Sequence, residues 1–153
     1  MTAHDIMQSN PRTVPRAFGA WSALALMRQE DIRHLLVEER GKLIGVLSNR
    51  DYRRILERMR PDGSVRGIPK IMVEEIMTGA DRLFTASPEA PVGRLAELIV
   101  TKHVGCVPIT DATDRIVGLV TQKAVLGAFL KSSRPEPERV RDSFPPDTGF
   151  LGR

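Results

Sequence analysis

Cysteine is almost missing from this chain: Cys106 is the only one in 153 residues. No internal disulfide can form, which suits a reducing cytoplasm. Aromatic residues are scarce as well, at 5% of the chain, with one Trp and one Tyr. Binders of single-stranded nucleic acid usually concentrate basic residues and add exposed aromatics for stacking. Here Arg and Lys are scattered among acids, so the net charge of +4 favours anionic partners without pointing to nucleic acid. No apolar run approaches the roughly 18 residues of a membrane span. The opening MTAHDIM has no basic stretch leading into an apolar core, so no signal peptide is expected. His4, His103 and Cys106 lack a zinc spacing, and no nucleophile or acid–base constellation stands out. Neither a metal nor a catalytic reaction is expected. What remains is 41% hydrophobic and 27% charged, a globular mixture with room for about one ordinary domain.

What the chain does contain is a repeat. Asp5 to Leu56 and Glu75 to Phe129 share an ordered set of features. Ile6-Met7 matches Ile76-Met77, Thr13 matches Thr85, and Ile32 matches Val104. Gly45 matches Gly118, and Ser48 matches Thr121. Each copy opens with a turn-rich stretch and a brief strand, near Arg12–Val14 or Leu83–Ala86. A helix follows. Val92, Leu95, Ala96 and Ile99 share one face of the second copy's helix. Trp21, Leu24, Ala25 and Met27 make the first copy's helix apolar nearly all round, which predicts deep burial. Two β-rich runs come next, Leu35–Val37 with Leu43–Leu47 and Cys106–Thr110 with Ile116–Val120. Hairpin turns over Glu39–Lys42 and Asp111–Arg115 join them. The second run of each pair is continuously apolar, as for a strand covered on both faces. A closing helix starts after Ser48 or Thr121, and Tyr52, Ile55, Leu56 and Met59 keep helical spacing in copy one.

The expected fold is therefore mixed α/β (α+β), with two β-α-β-β-α repeats at residues 1–58 and 74–130. A unit of about 60 residues buries only about 60% of its unfolded surface. Two such units packed through their sheets would share a core. Residues 59–73 form the linker, and Arg60-Pro61-Asp62-Gly63 within it is a turn signal. Residues 131–153, rich in Pro and charge, read as a flexible tail.

The words with chemistry in them are GVLSNRD, Gly45 to Asp51, and GLVTQKA, Gly118 to Ala124. Each puts a hydroxyl residue where an apolar strand becomes a helix. Ser48 and Thr121 are natural N-caps there, and the free N–H groups beyond them attract phosphate. Ser48-x-x-Asp51 is equally readable as a capping-box variant that binds nothing. The second copy keeps the hydroxyl but has Ala124 in place of the acid. Cys106 reads as a small buried residue, and His34 as a half-exposed structural histidine or a phosphate ligand.

From Asp5 to about Leu130 the chain resembles a tandem pair of cystathionine β-synthase-type (CBS) domains, the Bateman module. The resemblance is carried by the first-strand Thr, the IRHLLV and HVGCVPI segments, and the closing glycine–apolar–apolar–Ser/Thr motif, twice and in order. It implies a regulatory module with no resident cofactor. Such modules bind AMP, ADP, ATP or S-adenosylmethionine in the cleft between repeats. It implies composite sites: the first would join Ser48, Asn49, Arg50 and Asp51 to Thr85, Gly105 and Cys106. There Asp51 would bind the ribose hydroxyls, Ser48 and Arg50 the phosphates, and small Gly105 and Cys106 would leave room for adenine. The second would join Thr121, Gln122 and Lys123 to Thr13, Arg33 and His34. It departs from the pattern at Ala124 and is the more basic of the two. The resemblance also implies a homodimer and a separate protein target. The alternatives are a ligand-free structural or dimerisation module with dead sites and, favoured by charge alone, a nucleic-acid binder.

Overall fold

The computed structural model describes residues 1–53 and 71–133. The expectations for Ile55, Leu56 and Met59, for most of the linker and for residues 134–153 of the tail fall outside these residues. Eleven named elements build the description, in chain order. They are α1 (Ala3–Ile6), β1 (Gln8–Ser9), β2 (Thr13–Pro15), α2 (Ala20–Gln29), β3 (His34–Glu39), β4 (Lys42–Ser48), β5 (Thr78–Gly79), α3 (Val92–Thr101), β6 (Cys106–Thr110), β7 (Ile116–Thr121) and α4 (Gln122–Ser133). A further helix begins at Asp51.

Strand period fixes the layers. Successive side chains of a strand point to opposite faces. In β3, Leu35 and Val37 pack with Ala20, Ala23 and Met27 of α2, while Leu36 packs on the other face with Val46, Cys106 and Leu119. In β6 and β7, Val107, Ile109 and Val120 join Leu95, Leu98 and Ile99 of α3. The two sheets thus meet through Leu36, Val46, Cys106 and Leu119, and helices cover their outer faces. This is the sheet-to-sheet pair expected from the repeat, and the central strands are covered on both sides.

One sheet orders its strands β2-β3-β4-β5, and the other β1-β7-β6. The hairpin between β3 and β4 turns on Arg40 and Gly41, both with positive φ (52° and 78°), the geometry of a tight two-residue turn. Asp111 caps the other hairpin by accepting the N–H groups of Thr113 (2.8 Å) and Arg115 (3.0 Å). Asp31 and His103 hold matching left-handed positions after α2 and α3, φ 50° and 53°. His103 is accounted for as a helix-ending turn residue.

Each leading segment packs on the opposite half. β1 pairs with β7, with Gln8 opposite Leu119, and Ala3 lies in the core of the second half. Thr78–Gly79 pairs with β4, and Val73 and Ile76 lie in the core of the first. The repeated Met and Gly now have a joint explanation. Met77 lies on Gly45 and Met7 on Gly118, so closely that a Cβ on either glycine would stand 2.3 or 2.4 Å from the facing sulfur.

Three sequence expectations need correction. The tail expected from residue 131 overlaps α4, which runs on to Ser133. The strand expected at Leu83–Ala86 is only an isolated parallel bridge between Ala86 and Ile109. In the first half the Leu36 N–H donates to Arg12 O, but the matching position is Pro108, which has no N–H to offer. The α2 helix is not buried all round either: Ser22 and Ala25 are exposed, and Trp21 and Leu24 are only half-buried.

Candidate functional site

Ser48 ends β4 opposite His34, and Thr121 ends β7 opposite Cys106. Both closing motifs therefore leave their sheets beside the start of the neighbouring strand. Asn49 N–H donates to Arg33 O (3.3 Å), and Gln122 N–H donates to Gly105 O (3.0 Å), which fixes each turn to its own half in the same way. The inward alternation that turns Leu36 and Leu119 between the sheets also places His34, Cys106, Ser48 and Thr121 on that face.

The two helix starts are capped by different chemistry. Thr121 Oγ1 accepts the N–H of Ala124 (3.2 Å), an ordinary side-chain N-cap. In the first copy the acid takes over. Asp51 Oδ2 accepts the Ser48 N–H (2.7 Å) and the Ser48 hydroxyl (3.0 Å). Ser48 is thus a donor to Asp51 rather than an acceptor of the next turn. Asp51 is 7% exposed, so a carboxylate is held nearly buried at the end of β4. Its other oxygen makes no hydrogen bond among the described residues.

Groups from the other half approach that carboxylate. The Asp51 charge reaches Cys106, whose thiol is pushed up to about 12, first by burial and then by Asp51. Such a thiol stays protonated and is a poor nucleophile. Gly105 is in contact with the His34 ring: a Cβ there would lie 2.7 Å from Nε2. The room expected beside Gly105 is thus filled by imidazole. His34 has its proton affinity lowered, first by burial and next by Arg50.

The first expected set is therefore gathered in part. Asp51, Ser48, Arg50, Cys106 and Gly105 meet near His34. Asn49 is turned to an outer concavity of about 300 Å³, lined also by Trp21, Leu24, Arg28 and Tyr52. Thr85 is exposed and Thr13 half-buried, and neither side chain bonds to a closing motif among the described residues. Thr13 instead lines a polar concavity of about 290 Å³ with Gln8, Asn10, Arg12 and Glu30, where Arg12 pairs with Glu30. In the second set, Arg33, Gln122 and Lys123 are exposed. The involvement of His34 with Asp51 and Gly105 was not legible in the sequence, where the family resemblance assigned it to the other site.

A family profile for the CBS domain matches residues 3–58 and 73–131. The chain belongs to the CBS domain family. It is 32% identical over 108 residues to an uncharacterised protein of Methanocaldococcus jannaschii, covering 67% of this chain and 38% of that protein. It is 29% identical to L-aspartate semialdehyde sulfurtransferase of the same organism, covering 82% of this chain and 22% of the enzyme. The chain thus spans well under half the length of these relatives, and CBS segments occur within enzymes as well as outside them. Among solved structures, it superposes with a TM-score of 0.74 on the CBS domain pair of protein MJ0100, in complex with 5′-methylthioadenosine and S-adenosyl-L-methionine. That match has 26% identity and covers 86% of this chain and 98% of that one. It also shares its fold with CBSX2 of Arabidopsis thaliana in complex with AMP, at 21% identity and a TM-score of 0.71, covering 87% and 99% of the two chains. Among the described residues no helix is long and apolar enough to cross a membrane.

Proposed function

We propose that this CBS pair is a regulatory sensor that binds an adenosyl ligand, an adenine nucleotide or S-adenosylmethionine, between its two halves. Asp51 carries the reading. It is a nearly buried carboxylate at a helix start, and its field reaches Cys106 of the opposite half. An ionised carboxylate can accept both hydroxyls of a ribose. Ser48 and Arg50 stand beside it for phosphate. The second site lacks the acid, so Thr121, Gln122, Lys123 and Thr13 would give a weaker or altered pocket. The bound complexes of MJ0100 and CBSX2 support an adenosyl ligand by kinship. A ligand bridging the halves would favour one arrangement of them, by no more than its difference in affinity for the two arrangements. That arrangement would be read by a separate protein target in the cytoplasm.

Thermal unfolding with AMP, ADP, ATP and S-adenosylmethionine tests this. A ligand at about 100 times its dissociation constant stabilises by about 2.7 kcal/mol. We expect at least one of the four to raise Tm, and Asp51→Ala to abolish the rise. No shift with any of them would sink the reading.

A second reading rests on a different surface. Leu126, Phe129 and Leu130 of α4, with Val100 of α3, are exposed apolar side chains. Leu126, Phe129 and Leu130 follow i, i+3, i+4 spacing, one face of a helix. They would serve a homodimer that needs no ligand. A dimer in solution with no ligand-induced shift would favour it.

A further inference from the structure

The outer concavity of the first half has a chemistry of its own. Trp21, Leu24 and Arg28 of α2 line it together with Asn49 and Tyr52, around a volume of about 300 Å³. That is the small end of the range for ligand sites, about 300–1,000 Å³, and the make-up is theirs too: an apolar wall with a few polar groups. The wall is Leu24 with the tilted rings of Trp21 and Tyr52, whose centroids lie 6.3 Å apart. The polar groups are almost all donors. Arg28 can only donate, is exposed, and makes no ion pair among the described residues. The Trp21 indole N–H can only donate as well. Its Nε1 is fully buried and has no hydrogen-bond partner among the described residues. A buried donor of this kind costs free energy until an acceptor answers it. The Tyr52 hydroxyl already donates to Ala20 O (2.5 Å), and Asn49 supplies an amide. No acid lines the concavity.

We propose that this concavity is a second ligand site, for a small monocarboxylate with an apolar body and no ammonium group. The carboxylate accepts from Arg28 and Asn49, and a charge-assisted bond to arginine is the strongest such contact available there. The body lies against Leu24 and the two rings, and the buried indole N–H gains the acceptor it lacks. A free amino acid does not fit this chemistry, because its ammonium would meet Arg28 and no acid. A nucleotide does not fit the size: the volume equals about ten water molecules, which admits an acid of roughly ten non-hydrogen atoms. Asn49 and Tyr52 stand on either side of Asp51 in the sequence, so this site and the cleft are built on one turn. The inference stands apart from the adenosyl reading, since it uses neither Asp51 nor any residue of the second half.

Trp21 is the only tryptophan of the chain, so its fluorescence and its single indole N–H resonance report on this concavity. The test titrates the full chain with cyclohexanecarboxylate, which does not absorb where indole does, and with cyclohexylmethanol and cyclohexylamine under the same conditions. We expect the acid to change the emission saturably and to move the indole N–H resonance downfield, as an approaching acceptor does. The alcohol should bind at least about tenfold more weakly, and the amine should not bind. Arg28→Gln, at an exposed position, should weaken the acid by about tenfold or more, while Arg94→Gln on the other half should leave it unchanged. Should Arg28→Gln fail to fold, the comparison of acid with alcohol in the unmodified protein decides. No saturable change with the acid, equal binding of acid and alcohol, an indole resonance that stays in place, or acid binding undisturbed by Arg28→Gln would overturn the inference.

Discussion

Asp51 and Ala124 occupy matched positions, and the structure gives the difference a physical meaning. Where the acid is present, the hydroxyl at the helix start donates to it; where it is absent, the hydroxyl itself caps the helix. Losing a helix cap costs typically about 1 kcal/mol. Thr121→Ala should therefore lower stability by about that amount in denaturant unfolding. His34 makes a pH prediction. Its folded-state proton affinity lies below the ordinary value of 6.5 because it is buried and faces Arg50. The unfolded chain then binds more protons than the folded one as pH falls below that value, so this group withdraws stability on acidification and none above it. Denaturant unfolding should show a loss of stability below about pH 6.5 that is smaller in His34→Gln. A slope identical in the two proteins would contradict the role of burial at His34. The glycine pair is more severe. Gly45→Ala drives a methyl into Met77, and overpacking of this kind costs typically about 1–3 kcal/mol.

At the scale of elements, the exchange of leading segments sets what can be removed. Residues 1–9 supply β1, Ala3 and Met7 to the second half. Deleting them should expose the edge of β7 while leaving β3 paired with β4. Hydrogen exchange should then quicken at Gly118 and Leu119 and remain slow at Leu36 and Val37. Equal quickening in both halves would show that the segment is not specific to one. The helix faces were legible in the sequence because period 3.6 reports burial directly, and the strands and hairpins because short apolar runs flank turn residues. Leu35–Val37, Leu43–Leu47 and the α3 face came through on that ground. The exchange was not legible. The pairing of Met7 with Gly118 and of Met77 with Gly45 was visible only as repetition, and order along the chain does not say which half a segment joins. The shortened strand at Ala86 had a signal that was missed: Pro108 sits where Leu36 donates its N–H.

For the whole molecule, the shared layer of Leu36, Val46, Cys106 and Leu119 makes the halves one structure. Leu36→Ala should cost about 2–5 kcal/mol and still give a single unfolding transition, because neither half keeps its covered sheet alone. Two separate transitions would mean that the halves fold independently. The same closeness makes the candidate site composite. Most of its residue types were readable from the closing motifs, but the meeting of His34 with Gly105 depends on packing between sheets, which one repeat read against the other cannot reveal. The central claim is an unequal pair with one competent site, on the Asp51 side. Its most direct test is the stoichiometry of AMP binding by equilibrium dialysis. The account predicts one AMP per chain, lost in Asp51→Ala and kept in Lys123→Ala. Two equivalent AMP molecules per chain, or binding undisturbed by Asp51→Ala, would contradict it.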